Sequence, residues 1–175
     1  MTNNENAFLK DLQINCLNNT SEYLKNYNEA LAVFESNSTE GLRKLRSILH
    51  SMKKDFASVS FLQFADLMTL FDKTLEDCIT TIASYGSSFP ESDQQVLGFL
   101  LSEALDEIRK YVNTLQQSYV DSEQIKEKRK DPILKLSAWT RTVQPVKPTE
   151  KEIKSDLFLL FQNGKQFFAI AIEHI

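Results

Sequence analysis

Apolar residues recur at alternating intervals of three and four along most of the chain before Gln117. This spacing places them on one face of an α-helix, the face that a helix buries against its neighbours. Between Gly41 and Ala57 the recurring apolar residues are Leu42, Leu45, Leu49, Met52 and Phe56. The pattern therefore predicts a long amphipathic helix in this stretch, with one buried face and one solvated face.

Three other segments have the same period. They are residues 5–36, the stretch between Ser60 and a loop that begins at Tyr85, and a segment from about Glu91 to Gln117 or beyond. Short polar turns join the four segments, so helices that follow each other in sequence become neighbours in space. We therefore expect an all-α fold, an up-and-down antiparallel four-helix bundle in residues 1–125. A polar run at 18–21 leaves a fifth helix open, because it can divide the first segment in two.

Two helix starts carry a local signal. Asn37, Ser38 and Thr39 offer side-chain acceptors for the first turn of the second predicted helix. Ser60 and Gln63 have the spacing of a capping box, in which each side chain accepts a hydrogen bond from the backbone N–H of the other. The sequence therefore predicts that Ser60 caps the third helix.

The composition changes after the predicted bundle. Residues 126–130 form a charged run, and Pro132, Pro145 and Pro148 lie in a stretch without a sustained apolar period. We therefore expect a linker at 126–154. Within it lies a small apolar cluster made of Ile133, Leu134, Leu136 and Trp139. The ordinary interpretation, that this cluster packs back on its own domain, is favoured over docking to a partner.

Residues 155–175 have the pattern of a β-hairpin. Two apolar, strand-like runs, 157–161 and 167–172, flank the dipeptide Asn163-Gly164, which is typical of two-residue hairpin turns. An isolated hairpin is marginal in water, and these strands are apolar enough to be buried on both faces. Either the polypeptide is a truncated gene product, or the hairpin packs on the bundle, or it self-associates with a second copy. His174 lies here without chemical neighbours and receives no role.

The composition narrows the function classes. The chain has 175 residues, of which 42% are hydrophobic and 25% charged, which is ordinary for a globular protein. A formal net charge of −4 argues against a nucleic-acid partner, because phosphate-backbone binding needs a large basic face. No long apolar run indicates a membrane span, and the polar first residues do not form a leader. We therefore expect a cytoplasmic protein.

Metal, cofactor and nucleotide sites are not indicated. The two histidines and two cysteines lie far apart in sequence and give no metal-ligand spacing. Cys16 and Cys78 lie among apolar residues of helical segments, so we expect both in the core. The sequence also lacks a glycine-rich phosphate loop and a Gly-x-Ser-x-Gly motif. We therefore expect no metal, no cofactor and no ATP site in this chain.

His50 has the surroundings that most favour chemistry. It lies outside the apolar stripe of its helix, where residues three or four positions away are its lateral neighbours. Those neighbours are Arg46, Lys53 and Lys54, with Arg43 one turn further back. A ring of cations suits an imidazole nitrogen that receives a dianionic phosphoryl group at the surface. The alternative is a solvated helix face on which a lone histidine has no function.

The run 50–53, His-Ser-Met-Lys, followed by Phe56 and Phe61, resembles the phosphoacceptor helix of histidine phosphotransfer (HPt) domains. The likeness is closest to the amino-terminal HPt domain of CheA-type chemotaxis kinases. It covers residues 5–125 and rests also on the order of the predicted helices. Residues 155–175 resemble the opening hairpin of CheW-like domains, which couple chemotaxis kinases to receptors. Only the start of such a domain is present, so we do not carry that coupling over.

The resemblance implies roles for several residues. His50 is the phosphoacceptor, and Lys53 is the cation that steadies the phosphoryl oxygens. Asp72, on the next helix, falls where the family places a carboxylate that hydrogen-bonds the imidazole and sets its tautomer. Thr69 falls where some members carry a second histidine, and we expect Arg46 to offer further donors to the phosphoryl group. The implied partners are a histidine kinase catalytic domain, which supplies metal and nucleotide, and a response regulator receiver domain.

The sequence departs from the family pattern next to its lysine. HPt domains commonly place small residues, often glycine, where a partner surface must come close, whereas this chain has Lys54-Asp55-Phe56. A long cation at this position can hinder one partner and attract another. On the following helix, Asp66 and Lys73 are alternative members of the same surface.

Three hypotheses therefore stay open. The first is a phosphotransfer module of a chemotaxis-like phosphorelay, which receives a phosphoryl group on His50 and passes it to a response regulator. The second is a pseudo-HPt module that docks or scaffolds signalling partners without phosphotransfer. The third is a structural helical protein whose hairpin assembles with another chain.

Overall fold

Helices make up most of the described structure. The computed structural model describes the secondary structure of residues 3–86, 89–143, 157–163 and 166–172, and the side chains of residues 6–86 and 89–143. The helices are α1 (Asn3–Asn18), α2 (Thr20–Ser36), α3 (Ser38–Ser58), α4 (Leu62–Tyr85), α5 (Glu91–Ser118), α6 (Glu123–Arg129) and α7 (Asp131–Thr142). The strands are β1 (Leu157–Asn163) and β2 (Gln166–Ile172). The predominance of helix agrees with the predicted all-α class, and the first predicted segment is divided in two at Asn19.

The helices share one hydrophobic core. α3 packs on α2 and on α4, α5 packs on α2, and α7 packs on both α4 and α5. Large aromatic side chains fill the centre of these contacts: Tyr27, Phe34, Phe56, Phe61, Phe64, Phe71 and Tyr111. Burial of such side chains is the main source of stability in a helical domain, because each removes a large apolar area from water.

The helix α3 has the buried face that its apolar spacing predicts. The stripe residues are at most 1% exposed: Leu42, Leu45, Leu49, Met52 and Phe56. Of the three candidate cap residues, Asn37 caps the helix, because its side chain accepts a hydrogen bond from the N–H of Glu40 (3.1 Å). Gly41 lets the first turn approach α2 closely, since a Cβ there would lie 2.4 Å from the Cα of Phe34. Packing against α2 thus begins in the first turn of α3.

The carboxyl end of α3 is a Schellman motif. The N–H of Phe61 donates to the carbonyl of Phe56 (2.9 Å), and the N–H of Ser60 donates to that of Ala57 (3.1 Å). Ser60 adopts the left-handed conformation, with φ of 67°, that this motif requires at its turning residue. The rings of Phe56 and Phe61, with centroids 5.9 Å apart, supply the apolar contact that accompanies the motif. Ser60 is therefore committed to ending α3.

The cap of α4 comes from a residue far along the chain. The Asp121 carboxylate accepts hydrogen bonds from the N–H groups of Gln63 (2.6 Å) and Phe64 (3.1 Å). The Tyr111 hydroxyl also donates to this carboxylate (2.6 Å). No side chain next to the start of α4 caps it, so the predicted capping box of Ser60 and Gln63 is wrong. An ionised carboxylate is the stronger acceptor for two N–H groups, and Ser60 is held in another conformation.

Residues 126–129 and 131–142, which we expected in a linker, are helical. The Ser122 hydroxyl accepts a hydrogen bond from the N–H of Ile125 (3.4 Å) at the start of α6. Pro132 lies in the first turn of α7, where a proline removes no hydrogen bond that the helix needs. The buried apolar residues of α7 are Ile133, Leu136 and Trp139. The cluster therefore packs on its own domain, as favoured above, with the exception of Leu134, which is 44% exposed.

The chain divides into two units, residues 1–145 and 146–175. The helical unit thus extends beyond the predicted boundary at residue 125. In the second unit β1 and β2 pair antiparallel, with Asn163 opposite Gln166. Residues 144–156, which include the rest of the predicted linker, and His174 lie outside the described residues.

Candidate functional site

The imidazole of His50 lies on the solvent side of α3. The side chain is exposed, while Leu49 and Met52 beside it point into the core. Among residues 6–86 and 89–143, His50 makes no hydrogen bond and no ion pair. The prediction of a solvent-facing imidazole is confirmed, and the ring can be approached from outside the protein.

Contacts between α3 and α4 show that the two helices run antiparallel. Early in α3, Arg46 Nε lies 2.9 Å from Asp72 Oδ1, in the middle of α4. Late in α3, the ring of Phe56 stacks on that of Phe64, near the start of α4, with centroids 4.2 Å apart. His50 lies between Arg46 and Phe56 in sequence, so the α4 residues across from it lie between positions 64 and 72.

Asp72 binds Arg46 rather than His50. The Arg46 guanidinium donates from Nε to Asp72 and lies 3.5 Å from Glu76 through Nη2. The hydrogen bond to Asp72 raises the pKa of Arg46, although partial burial opposes the effect. Within the described residues no hydrogen bond joins Asp72 to His50, which corrects the role expected for this carboxylate. A charge-assisted bond to a guanidinium is stronger than one to a neutral imidazole, and Arg46 is one helical turn from His50.

The other cations around His50 are not neutralised. Lys53 is half-buried, and Arg43 and Lys54 are exposed. None of the three forms an ion pair with any residue whose side chain the structure describes. Arg46, by contrast, has two carboxylates for its one charge. The net positive charge beside the imidazole therefore comes from Lys53 and Lys54 together with Arg43.

The three residues that depart from the family pattern have different surroundings. Phe56 is buried in the core, where it packs on α4. The Asp55 carboxylate accepts a hydrogen bond from the Tyr23 hydroxyl of α2 (2.5 Å). Burial, followed by this hydrogen bond, raises the pKa of Tyr23 to about 12. Asp55 and Lys54 are both exposed, but within residues 6–86 and 89–143 Lys54 has no hydrogen bond or ion pair. Lys54 is therefore the unengaged side chain of the three that a docking partner would meet.

The remaining predicted residues lie on α4. Thr69 is exposed, and its hydroxyl donates to the carbonyl of Ala65 one turn earlier (2.9 Å). The Asp66 carboxylate Oδ2 lies 3.9 Å from Nζ of Lys126, so Asp66 forms an ion pair with α6. Lys73 is exposed. Of these residues, only Thr69 falls within the part of α4 that lies across from His50 and is exposed without a charged partner.

Sequence reasoning missed Glu76. Its signal was available, because Asp72 and Glu76 are four positions apart and therefore lie on one face of α4. Together they form a carboxylate pair that attracts a cation from the neighbouring helix. Only the register between α3 and α4 determines that this cation is Arg46.

The cysteines show no sign of reactivity. Cys78 is fully buried, and burial raises its pKa to about 12. Cys16 is half-buried and packs against the core, and burial together with the charge of Asp55 raises its pKa to about 11. In the described part of the chain, no group of three or more histidine, cysteine, aspartate or glutamate side chains could hold a metal ion.

Comparisons with known proteins do not assign a family. No protein-family model, curated protein or solved structure matches the chain. Among the helices of the described residues, none combines the length and the apolar character that crossing a membrane requires. The function has to be inferred from the residues around His50.

Proposed function

We propose that this chain is the phosphotransfer module of a chemotaxis-like phosphorelay. His50 receives a phosphoryl group from a histidine kinase catalytic domain and passes it to the receiver domain of a response regulator. The observation that supports this most is an exposed imidazole that has no hydrogen bond or ion pair within residues 6–86 and 89–143. It is flanked by Arg43, Lys53 and Lys54, which form no ion pair with those residues either. A histidine that merely solvates a helix face does not require uncompensated positive charge around it, whereas a phosphorylated one gains from it.

The arrangement proposed for the helices is the HPt bundle, with α2, α3, α4 and α5 running up and down. Three pairs have antiparallel contacts. Gly41 at the start of α3 meets Phe34 at the end of α2, and α3 and α4 run antiparallel, as described above. The hydroxyl of Tyr27 in α2 donates to the carbonyl of Leu101 in α5 (3.2 Å). Near the start of α5, the side-chain amide of Gln94 donates to the carbonyl of Glu35, near the end of α2 (2.9 Å). The short helices α6 and α7 complete the core at α4 and α5.

The chemistry at His50 is the transfer of a phosphoryl group, first from a donor oxygen to an imidazole nitrogen and then to a carboxylate oxygen. The lone pair of one imidazole nitrogen forms a bond to phosphorus while the bond from phosphorus to the donor's leaving oxygen breaks. The ring then releases the proton of its other nitrogen to solvent. In the second transfer, a carboxylate oxygen of the receiver domain attacks the same phosphorus, and the N–P bond breaks as the ring regains a proton. Nucleotide and metal belong to the partner domains in this scheme.

Lys53 and Arg46 have different roles in this proposal. Lys53 lies three positions after His50, carries no ion pair among the described residues, and supplies N–H donors to the phosphoryl oxygens. Arg46 is engaged by Asp72 and Glu76 and holds α3 against α4. We therefore assign Arg46 to positioning the helix rather than to binding the phosphoryl group.

The location and the second unit belong to the same proposal. A module that exchanges phosphoryl groups with kinases and receiver domains works in the cytoplasm. The strands β1 and β2 would be the first part of a CheW-like sheet, or a surface through which two copies associate. Antiparallel pairing of the two apolar strands is consistent with both.

The test is phosphorylation of histidine variants. The purified full-length chain is incubated with phosphoramidate, a small-molecule phosphoryl donor, and separately with a histidine kinase catalytic domain and ATP. His174→Gln is a matched control, because the chain has two histidines in all. We expect wild type and His174→Gln to gain one acid-labile phosphoryl group by intact mass, and His50→Gln to gain none. Labelling of His50→Gln at the wild-type level would refute the proposal.

The pseudo-HPt hypothesis is the second candidate, and the exposed side chain of Lys54 favours it. Lys54 is four positions after His50 and therefore stands beside it on the helix. If this cation blocks a donor domain, Lys54→Ala gains phosphate from the kinase domain faster than wild type. A chain that binds the kinase domain but stays unlabelled, in both wild type and Lys54→Ala, would favour docking without transfer. The third hypothesis, a structural protein whose hairpin assembles with another chain, predicts that the molecular mass in solution rises with protein concentration. It also predicts that His50→Gln does not change this behaviour.

A further inference from the structure

A groove of about 760 Å³ lies between α2 and α5. Its floor is the ring of Phe34, which is open because Gly98 carries no side chain above it; a Cβ there would lie 3.4 Å from the ring. Leu31, Phe89 and Phe99 form its apolar walls. A volume of this size accommodates one or two large side chains.

The groove adjoins exposed aromatic and aliphatic surface. Phe99 is 63% exposed, and Val96, one turn earlier on α5, is 48% exposed. A largely exposed phenylalanine beside an apolar groove leaves surface that burial would stabilise, and such patches commonly mark sites of protein association. The ring of Phe99 can act as an anchor that closes over an inserted side chain.

The rim of the groove is acidic. Glu35 and Glu91 line it and are exposed, and the lining residues that the structure describes include no lysine or arginine. Neither glutamate forms an ion pair with a side chain that the structure describes. α2 also ends here, with no basic residue in its last turn to offset the negative end of the helix dipole. Apolar walls and a negative rim that lacks ion pairs among the described residues together specify the chemistry of the occupant.

We propose that this groove docks a cationic amphipathic helix of a partner protein. Large apolar side chains of that helix enter between Phe99 and Leu31, and its flanking lysines or arginines pair with Glu35 and Glu91. A helix with apolar residues at three- and four-residue intervals is suited to such a groove. Charge complementarity selects a basic helix over an acidic one and speeds its association at low salt.

A second copy of the chain fits this groove less well. In a symmetric dimer the same patch meets itself, so Glu35 and Glu91 of one copy would face those of the other. Like charges across an interface disfavour association. Nucleic acid is excluded by the same negative rim.

The groove does not depend on phosphotransfer at His50. The described residues that line it belong to α2, α5 and the segment between α4 and α5. His50 lies on α3, at the edge that faces α4. A partner in the groove therefore leaves the imidazole accessible, and the chain can hold one protein while it exchanges with another.

The test uses two designed peptides and the full-length chain. One peptide is an amphipathic helix with leucine on one face and lysine on the other; the second has glutamate in place of each lysine. Binding is measured by anisotropy of a fluorescent label on the peptide, and the contact surface by amide chemical-shift changes in the protein. The variants are Phe99→Ser, the double variant Glu35→Gln with Glu91→Gln, and Phe8→Ser as a control, because Phe8 of α1 is equally exposed at 66%.

We expect the lysine peptide to bind wild type and Phe8→Ser alike, and to bind Phe99→Ser about tenfold more weakly. The double glutamate variant should bind several-fold more weakly and lose most of its salt dependence. The glutamate peptide should not bind. Failure of the lysine peptide to bind wild type, equal binding by Phe99→Ser, or shift changes confined to other helices would overturn the proposal. A concentration-dependent dimer that Phe99→Ser dissociates, seen by sedimentation, would also overturn it by assigning the groove to a second copy.

Discussion

Asp121 joins α4 to α5, and removing its carboxylate tests the reasoning about the cap of α4. The side chain follows α5 and accepts hydrogen bonds from the N–H groups of Gln63 and Phe64 and from the hydroxyl of Tyr111. Tyr111 is fully buried, so its hydroxyl has no water to replace a lost partner. Burial, with the hydrogen bond to Asp121, raises the pKa of Tyr111. Asp121→Ala therefore removes a helix cap and leaves a buried donor unpaired.

The size of the effect follows from these two losses. Loss of a side-chain cap costs about 1 kcal/mol. An unsatisfied buried hydroxyl costs about 1–3 kcal/mol. We expect Asp121→Ala to lower the free energy of unfolding by about 2–4 kcal/mol, measured by urea denaturation followed by circular dichroism. Adding Tyr111→Phe to Asp121→Ala removes the unpaired hydroxyl and should recover about 1 kcal/mol or more.

A surface carboxylate supplies the control. The side chain of Asp66 in α4 is 67% exposed, and among the described side chains its one ion pair is with Lys126, at 3.9 Å. Asp66→Ala should change the free energy of unfolding by less than about 0.5 kcal/mol. If Asp121→Ala cost less than about 1 kcal/mol, or no more than Asp66→Ala, the capping of α4 by Asp121 would be refuted.

Three further changes have defined expectations. Gly41→Ala should lower the free energy of unfolding by about 3 kcal/mol, because the added Cβ would overlap the backbone of Phe34. Gly98→Ala should raise it by up to about 1 kcal/mol, because the added Cβ meets only the edge of the Phe34 ring and alanine favours the helix. Melting temperatures of the two variants that shifted in the same direction would contradict this reasoning. Ser60→Gly should raise the free energy of unfolding, measured in urea, by about 0.5–1 kcal/mol. Glycine has no side chain to strain the left-handed backbone at this position, and this gain exceeds the entropy cost of ordering a more flexible unfolded residue. A loss of stability would contradict the assignment of a Schellman motif. The pKa of Tyr23 is raised from 10.0 to about 12 in the folded protein. The stabilisation by its hydroxyl is therefore complete below pH 10 and is lost as the pH rises through 12. The difference between wild type and Tyr23→Phe in the free energy of unfolding, measured in urea, should be constant up to about pH 10 and become smaller above it.

The apolar period determined much of the helical unit from sequence alone. The stripe of α3, from Leu42 to Phe56, is buried as predicted, and His50 is exposed because it lies outside that stripe. These features are local: a helix repeats every 3.6 residues, so spacing decides which side chains share a face. The cap of α3 by Asn37 is equally local, because donor and acceptor lie three residues apart.

Shorter elements escaped detection from sequence. The helix α7 has 12 residues and carries Pro132 in its first turn, so its period is brief and its proline resembles a breaker. Charged residues at 126–130 suggest a linker when read alone, although Lys126 and Arg129 are half-buried and form ion pairs with Asp66 and Glu107. The burial of Ile133, Leu136 and Trp139 makes this stretch helical, and that burial exists only once α4 and α5 are in place.

The partners of charged groups were decided by tertiary structure. The sequence places Arg46 and His50 one turn apart on α3 and Asp72 on the next helix. From the sequence alone, the partner of the Asp72 carboxylate could therefore be the guanidinium of Arg46 or the imidazole of His50. The register between α3 and α4 brings Arg46 to Asp72. In the same way, Asp121 caps α4 only because the chain returns to that helix after α5. Spacing along one helix decides which face a side chain occupies, whereas a hydrogen bond between helices depends on distances that only their packing sets.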